Sequence, residues 1–258
     1  MSFFNKMLAK VGIGAAEVDT LLEEVSYVPG EDVRGVVRVT GGQVDQEIDR
    51  IYLQLMTRYV RESGDNKVTE HYSLAKFNVS GKMTIRGGET MEIPFSFPLP
   101  LETPVTYNGQ PVWLHTGLDI DVAIDPTDND GIEVRPHPYM DVIFQAVQSL
   151  GFRFRSSSCE YHSRLGRGVP FVQEFEFLPG SSFANRVKEL ELIMKVDHNG
   201  VNVLIEIDRK ARGLTGLFEQ ALDMDERLVR VYFTETELDQ GPQVIAQELA
   251  AIIQQQAR

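Results

Sequence analysis

The chain has 258 residues, 42% of them hydrophobic and 24% charged, a balance that predicts folded globular domains rather than a disordered chain. Its net charge of −13 argues against a nucleic-acid partner, because phosphate binding needs a predominantly basic surface. It contains no run of about 18 or more apolar residues of the kind that spans a membrane. The first residues lack a secretory signal pattern and Cys159 has no second cysteine to pair with, so we expect a cytoplasmic protein.

Three segments have apolar residues at helical spacing. The second segment follows Pro138 and ends before Gly151, and the third segment follows Pro242. The first segment, nearest the N-terminus, covers residues 3–11 and is followed by glycines that end the helix. Its apolar face is formed by Phe3, Phe4, Met7 and Leu8.

Most of the remaining chain alternates apolar and polar residues, which is typical of strands. The clearest hairpin covers residues 190–208, where Asn199-Gly200 is a strong tight-turn signal. Many short strands, separated by glycine and proline and without βαβ alternation, predict an all-β fold of sandwiches.

The best domain boundary lies at Arg135-Pro136, where a strand-rich region gives way to a helix and prolines stiffen the chain. We therefore predict one β-sandwich over residues 1–135 and a second, with a C-terminal helix, over residues 136–258. The C-terminal helix either covers a sheet edge, which is the simpler expectation, or mediates self-association.

Two passages of the first half resemble the arrestin-like superfamily. One is the turn Tyr27-Val28-Pro29-Gly30-Glu31 with its following valine-rich strand, and the other is the proline-rich passage Ile93 to Pro100. The opening residues 2–20, the segment from His137 to Arg153 and the segment 208–226 resemble one bacterial branch, the sporulation-control proteins. The resemblance implies two arrestin-like sandwiches and a regulatory, protein-binding role in sporulation or related physiology. It supplies no catalytic residues.

The sequence contains no recognised catalytic or metal-binding motif. The five histidines form no zinc pattern, and His137 and His198 are expected at the surface. The segment 125–131 is rich in aspartate, but aligned as an EF-hand it places Pro126 at the first ligand position. Cys159 lies in a predicted strand and is expected to be a buried, inert thiol. We therefore predict no metal, no cofactor and no enzymatic activity.

Basic residues cluster twice, and arginine is common at protein interfaces. The candidate partner-binding residues are Arg153, Arg155, Arg164, Arg167, Arg209, Lys210 and Arg212. The alternative, which we rank slightly ahead, is that they neutralise the acidic stretch 119–133 of the same chain.

Three functions remain open. The first is a non-enzymatic scaffold that takes a partner segment by strand addition at a sheet edge. The second is a peripheral membrane adaptor that uses the face of Phe3, Phe4, Met7 and Leu8, although packing of this short face against a sandwich is the simpler expectation. The third is an enzyme with a dispersed site, which would require a deep pocket lined by several polar groups.

Overall fold

The computed structural model describes residues 15–64, 66–120, 125–166, 168–209 and 228–256, without the side chains of Ser63 and Arg209. The predicted first helix, with Phe3, Phe4, Met7 and Leu8, lies outside the described residues. Strands dominate the described part and the helices are few and short, which confirms the all-β prediction. The arrestin-like arrangement of two sandwiches stays a prediction.

The chain divides into two compact units. Unit 1 comprises residues 1–58, 70–106 and 111–135, and unit 2 comprises residues 59–69, 107–110 and 136–258. One division thus falls between Arg135 and Pro136, while unit 2 also includes two short segments from earlier in the chain.

Unit 1 contains two antiparallel sheets and a short parallel pair. Its strands are β1 (Glu17–Leu22), β2 (Ser26–Tyr27), β3 (Asp32–Thr40), β4 (Gln46–Ser63), β5 (Asn66–Ser80), β6 (Met83–Ile85), β7 (Thr90–Pro98), β8 (Val112–Ile120), β9 (Thr127–Gly131) and β10 (Glu133–Val134). One sheet has the order β1-β3-β7, and in the other β4 pairs with β5, β6 and β8, and β8 pairs with β9. The ends of β4 and β5 nearest their connecting turn belong to unit 2.

The core of unit 1 follows the predicted alternation. Val33, Val37 and Val39 of β3 are buried, and so are Ile51, Leu53 and Leu55 of β4. These side chains belong to a single apolar cluster. Removal of this apolar surface from water is the dominant stabilising contribution of the unit.

Unit 2 is built on one run of antiparallel strands with the order β15-β14-β13-β12-β11. Their bounds are β11 (Arg153–Tyr161), β12 (Phe171–Leu178), β13 (Val187–Asp197), β14 (Gly200–Arg209) and β15 (Leu228–Thr234). The last part of β4 adds to β11 in parallel, with Val60 opposite Glu160. The helices are α1 (Pro138–Ser149), α2 (Glu235–Leu238) and α3 (Pro242–Gln256), with a 3-10 turn at Tyr107–Gly109.

The predicted hairpin is confirmed, and so are the predicted helices that follow Pro138 and Pro242. Asp197 pairs with Gly200 across the turn between β13 and β14. Helix α1 begins at Pro138, and Gly151, just beyond its end, has a φ of 89°. This left-handed conformation explains the glycine, because a β-carbon is disfavoured there.

One face of the unit 2 sheet is covered by helices. Phe144 of α1 contacts Phe175 and Phe177 of β12, with ring centroids 5.0 and 6.0 Å apart. Helix α3 packs mainly against α1 rather than along a sheet edge, so the simpler expectation for it was wrong. The physical reason is its apolar stripe, which includes the buried Ile245 and Leu249 and finds a matching apolar surface on α1.

Candidate protein-binding site

Strand β15 forms the edge of the unit 2 sheet. In the part of the chain that the structure describes, it pairs only with β14. The N–H of Glu235, just after the strand, donates to the carbonyl of Asn199 at 2.7 Å. In an antiparallel strand, the backbone N–H groups of alternate residues point to the same side. The N–H of Val231 therefore also points toward β14, and the N–H groups of Arg230 and Tyr232 point away from it.

The side chains of this edge are partly apolar. Leu228 is 43% exposed and Tyr232 is 40% exposed. Native proteins usually protect such an edge with charges, prolines or bulges, because it can pair with another chain. Arg230 provides one charge, but β15 contains no proline and its register with β14 is continuous. Among the described residues, the outward side of β15 therefore has no strand partner.

The predicted basic residues do not form one patch. Arg153 and Arg155 lie at the start of β11, whereas Arg164 lies in the loop after its end. The nine residues of β11 separate its two ends by roughly 26 Å, at about 3.3 Å per residue. Arg167, Lys210, Arg212 and the side chain of Arg209 lie outside the described part.

Arg155 is held within its own unit. Its guanidinium lies 2.6 Å from a Glu189 carboxylate oxygen and 3.9 Å from Glu176. Both glutamates lie in the same unit 2 sheet as Arg155, Glu176 on the adjacent β12 and Glu189 on β13. Arg153 is exposed and makes no ion pair with the residues that the structure describes.

The outer face of the sheet carries a row of carboxylates. Glu176 of β12 lies opposite Glu191 of β13, which lies opposite Glu206 of β14. Burial, and then the neighbouring glutamates, raise the pKa of Glu191 to about 7. The pKa of Glu174, on the same face, is also raised to about 7, first by burial and then by Glu160. This face therefore favours proton uptake or an approaching positive charge.

The opposite face of the sheet contains an aromatic groove within unit 2. The groove has a volume of about 340 Å³ and is lined by Tyr107, Asn108, Asp141, Phe144, Gln145, Gln148, Phe154 and Phe177. Tyr107 is 36% exposed and Phe154 is 39% exposed. A pocket of this size, apolar with a few polar groups at its rim, is typical of a binding site.

The aspartate-rich segment 125–131 is used for structure. Asp125 accepts a hydrogen bond from the N–H of Ile120 at 3.0 Å, and Asp128 accepts one from the N–H of Thr20 at 2.8 Å. Burial, followed by the nearby Asp128, raises the pKa of Asp130 to about 7. Within the described ranges, no three His, Cys, Asp or Glu side chains come together as a metal site.

Two further predicted residues have defined structural environments. Cys159 is 2% exposed, and burial raises the pKa of its thiol far above the usual value. His137, which we expected at the surface, is partly exposed and caps α1 by accepting a hydrogen bond from the N–H of Tyr139 at 3.2 Å. Its place directly before Pro138, a first-turn residue, is the sequence signal for this cap.

The groove residues were not among the predicted site residues. Phe154 lies between two candidate arginines, and Tyr107 is far from it in sequence. The helical spacing of Asp141, Gln145 and Gln148 indicates a polar helix face, but it does not show which strand that face meets. The groove depends on tertiary contacts that spacing alone does not reveal.

In the described part of the chain, no helix has the length and apolar character needed to cross a membrane.

Comparison with known proteins gives close matches over nearly the whole chain. The profile of the family described as SpoOM protein matches residues 4–211. The sporulation-control protein spo0M of Bacillus subtilis (strain 168) is 45% identical over 240 residues, which are 93% of this chain and 93% of that protein. The crystal structure of Spo0M from Bacillus subtilis matches with a TM-score of 0.86 and 39% identity, covering 95% of this chain and 100% of that chain.

Proposed function

The chain belongs to the SpoOM protein family, and from this premise we propose that it is a regulatory protein of bacterial sporulation control that acts by binding other proteins and not by catalysis. The family assignment agrees with the resemblance carried by residues 2–20, 137–153 and 208–226. The role in sporulation rests on the similarity to the sporulation-control protein of Bacillus subtilis.

The observation that supports protein binding best is the open edge of β15. The outward N–H groups of Arg230 and Tyr232 can donate to an added strand, while Leu228 and Tyr232 offer apolar contact. We propose an extended segment of a partner protein as the occupant. The net charge of −13 favours encounter with a basic segment over an acidic one.

A non-catalytic role is supported by the structural use of the chemically capable groups. The buried thiol of Cys159 is poorly nucleophilic because its pKa is raised. The carboxylates of Asp125 and Asp128 accept backbone hydrogen bonds. A lone cysteine without a disulfide partner suits the cytoplasm, where we propose that the protein acts.

The proposal is tested by comparing Arg230→Pro with Arg230→Ala in partner capture. Both variants lose the Arg230 side chain, but proline also removes the outward N–H while keeping the bonds to β14. Crosslinked complexes are purified from the native host and quantified by mass spectrometry. We expect Arg230→Ala to recover the partners of the unsubstituted protein and Arg230→Pro to lose at least one. Equal recovery by both variants, with equal melting temperatures, would contradict binding at this edge.

A further inference from the structure

The aromatic groove of unit 2 has a wall of rings and a carboxylate at its rim. We propose that it binds a basic side chain, lysine or arginine, of a partner protein, with the aliphatic stem against the rings and the cation at Asp141. This proposal deepens the proposed function, since it takes a protein as the ligand, but it concerns a different surface from β15.

The wall consists of aromatic side chains in mutual contact. The ring of Tyr107 lies 6.0 Å from that of Phe144 and 5.7 Å from that of Phe154, centroid to centroid. Phe154 in turn meets Phe177 edge to face at 5.8 Å. Aromatic faces attract cations through their quadrupole, and sites made of several rings recognise alkylammonium groups.

The rim supplies a carboxylate that is not neutralised. Asp141 is exposed in the first turn of α1, and its side chain has no hydrogen-bond or ion-pair partner among the residues that the structure describes. Gln145 and Gln148 follow it on the same helix face, one and two turns on, and also line the groove. A basic head group would therefore meet one negative charge and two neutral amides.

The far side of the groove is formed by the turn that contains Asn108. Asn108 has a φ of 54°, and its side-chain amide donates to the carbonyl of Ser157 at 3.4 Å. Asparagine adopts this left-handed turn conformation more readily than other non-glycine residues. The turn places the ring of Tyr107 beside that of Phe154.

Charge complementarity decides between classes of occupant. An anionic group would meet Asp141 and a protein of net charge −13, both of which repel it. A neutral apolar side chain would pack against the rings, but it would have no electrostatic attraction to Asp141. A long basic side chain uses both parts, because its methylene stem is apolar and its head is charged.

The test uses the full-length protein and short blocked peptides of the form acetyl-Gly-X-Gly-amide, in which X is lysine, arginine, norleucine or glutamate. Binding is followed by amide chemical shifts of Asn108, Gln148 and Phe154 in the ¹⁵N-labelled protein. We expect the lysine or the arginine peptide to bind with a dissociation constant on the order of millimolar, and norleucine at least about 5-fold more weakly.

Variants identify the groups responsible. Asp141→Asn keeps the size of the side chain and removes its charge, and we expect it to reduce binding of the basic peptide to the level of norleucine. Glu248→Gln, at an exposed position of α3 that does not line the groove, serves as the matched control and should bind as the unsubstituted protein does. Phe154→Leu should weaken the basic peptides and the norleucine peptide alike, because the aliphatic stem that they share packs against this ring.

Equal binding of lysine, arginine and norleucine would overturn the proposal, and so would full binding by Asp141→Asn. The absence of any shift at about 10 mM peptide would overturn it as well, because a groove of this size with a complementary charge should hold a matching side chain in that range. None of these results would contradict the proposed function, because that function is tested separately by substitution of Arg230 on β15.

Discussion

Glu191 of β13 lies directly opposite Glu206 of β14 on the outer face of the unit 2 sheet. Glu176 of β12 lies opposite Glu191 on its other side, so three carboxylates stand in one row. Like charges in register destabilise a sheet. The free protein therefore tolerates an electrostatic cost on this face, which protonation or a bound cation would relieve.

Removing the middle charge should stabilise the protein. We expect Glu191→Gln to raise the free energy of unfolding by about 0.5–1 kcal/mol at pH 8, the usual size of a cross-strand pair effect. Urea unfolding measures the change. Glu248→Gln, which removes a carboxylate from an exposed position of α3, should leave stability within about 0.5 kcal/mol. An unchanged value for Glu191→Gln would show that the row is screened by solvent.

The same row predicts a pH dependence. The pKa of Glu174 and that of Glu191 are raised to about 7 in the folded protein, whereas glutamate in an unfolded chain titrates near about 4.3. Between these values the folded state binds more protons, so these two groups lower the free energy of unfolding as pH rises.

We therefore expect the stability gained by the double variant Glu174→Gln/Glu191→Gln to grow between pH 5 and pH 8. The increase should be at least about 1 kcal/mol, which allows for the water that still reaches both carboxyls. Urea unfolding at a series of pH values provides the measurement. A difference that stays constant with pH would mean that neither pKa is raised.

Arg155 should matter for folding more than for partner binding. Its partner Glu189 is 9% exposed, so Arg155→Ala leaves a nearly buried carboxylate without its counter-ion. We expect a loss of about 1–3 kcal/mol in the free energy of unfolding. Arg153→Ala, two residues away on the same strand, should cost less than about 0.5 kcal/mol. Equal effects of the two substitutions in urea unfolding would refute the structural role of Arg155.

Cys159 should report on unfolding. Because the thiol is buried and its pKa is raised, a disulfide reagent should modify the folded protein on the order of 100-fold or more slowly than the denatured chain. Ser181→Cys introduces a thiol at an exposed position of the same unit and should be modified at once. Rapid modification of Cys159 in the folded protein would show that β11 opens locally.

The fold could be predicted where local chemistry determines it. The hairpin around Asn199 was predicted, although its turn residues are His198 and Asn199 and Gly200 already pairs with Asp197. Pro138 and Gly151 mark the two ends of α1. The position of α3 could not be predicted, because its apolar stripe fits a helix as well as a sheet edge.

The candidate site was predicted less completely. The strand β15 follows from the alternation around Val229 and Val231, but a strand pattern does not show which neighbours the strand has. Arg155 pairs with a residue 34 positions away, and its partner depends on the register between β11, β12 and β13. The aromatic groove brings Tyr107 to Phe154 across more than forty residues, and no spacing rule connects them.

The most direct test of the account is the sporulation frequency of native-host cells that carry Arg230→Pro or Arg230→Ala in the chromosomal gene. If the open edge of β15 binds the regulatory partner, Arg230→Pro should change the frequency as strongly as deletion of the gene does, and Arg230→Ala should leave it near the unsubstituted level. Protein abundance is measured in both strains. Normal sporulation in cells with a normal amount of the Arg230→Pro protein would contradict the account.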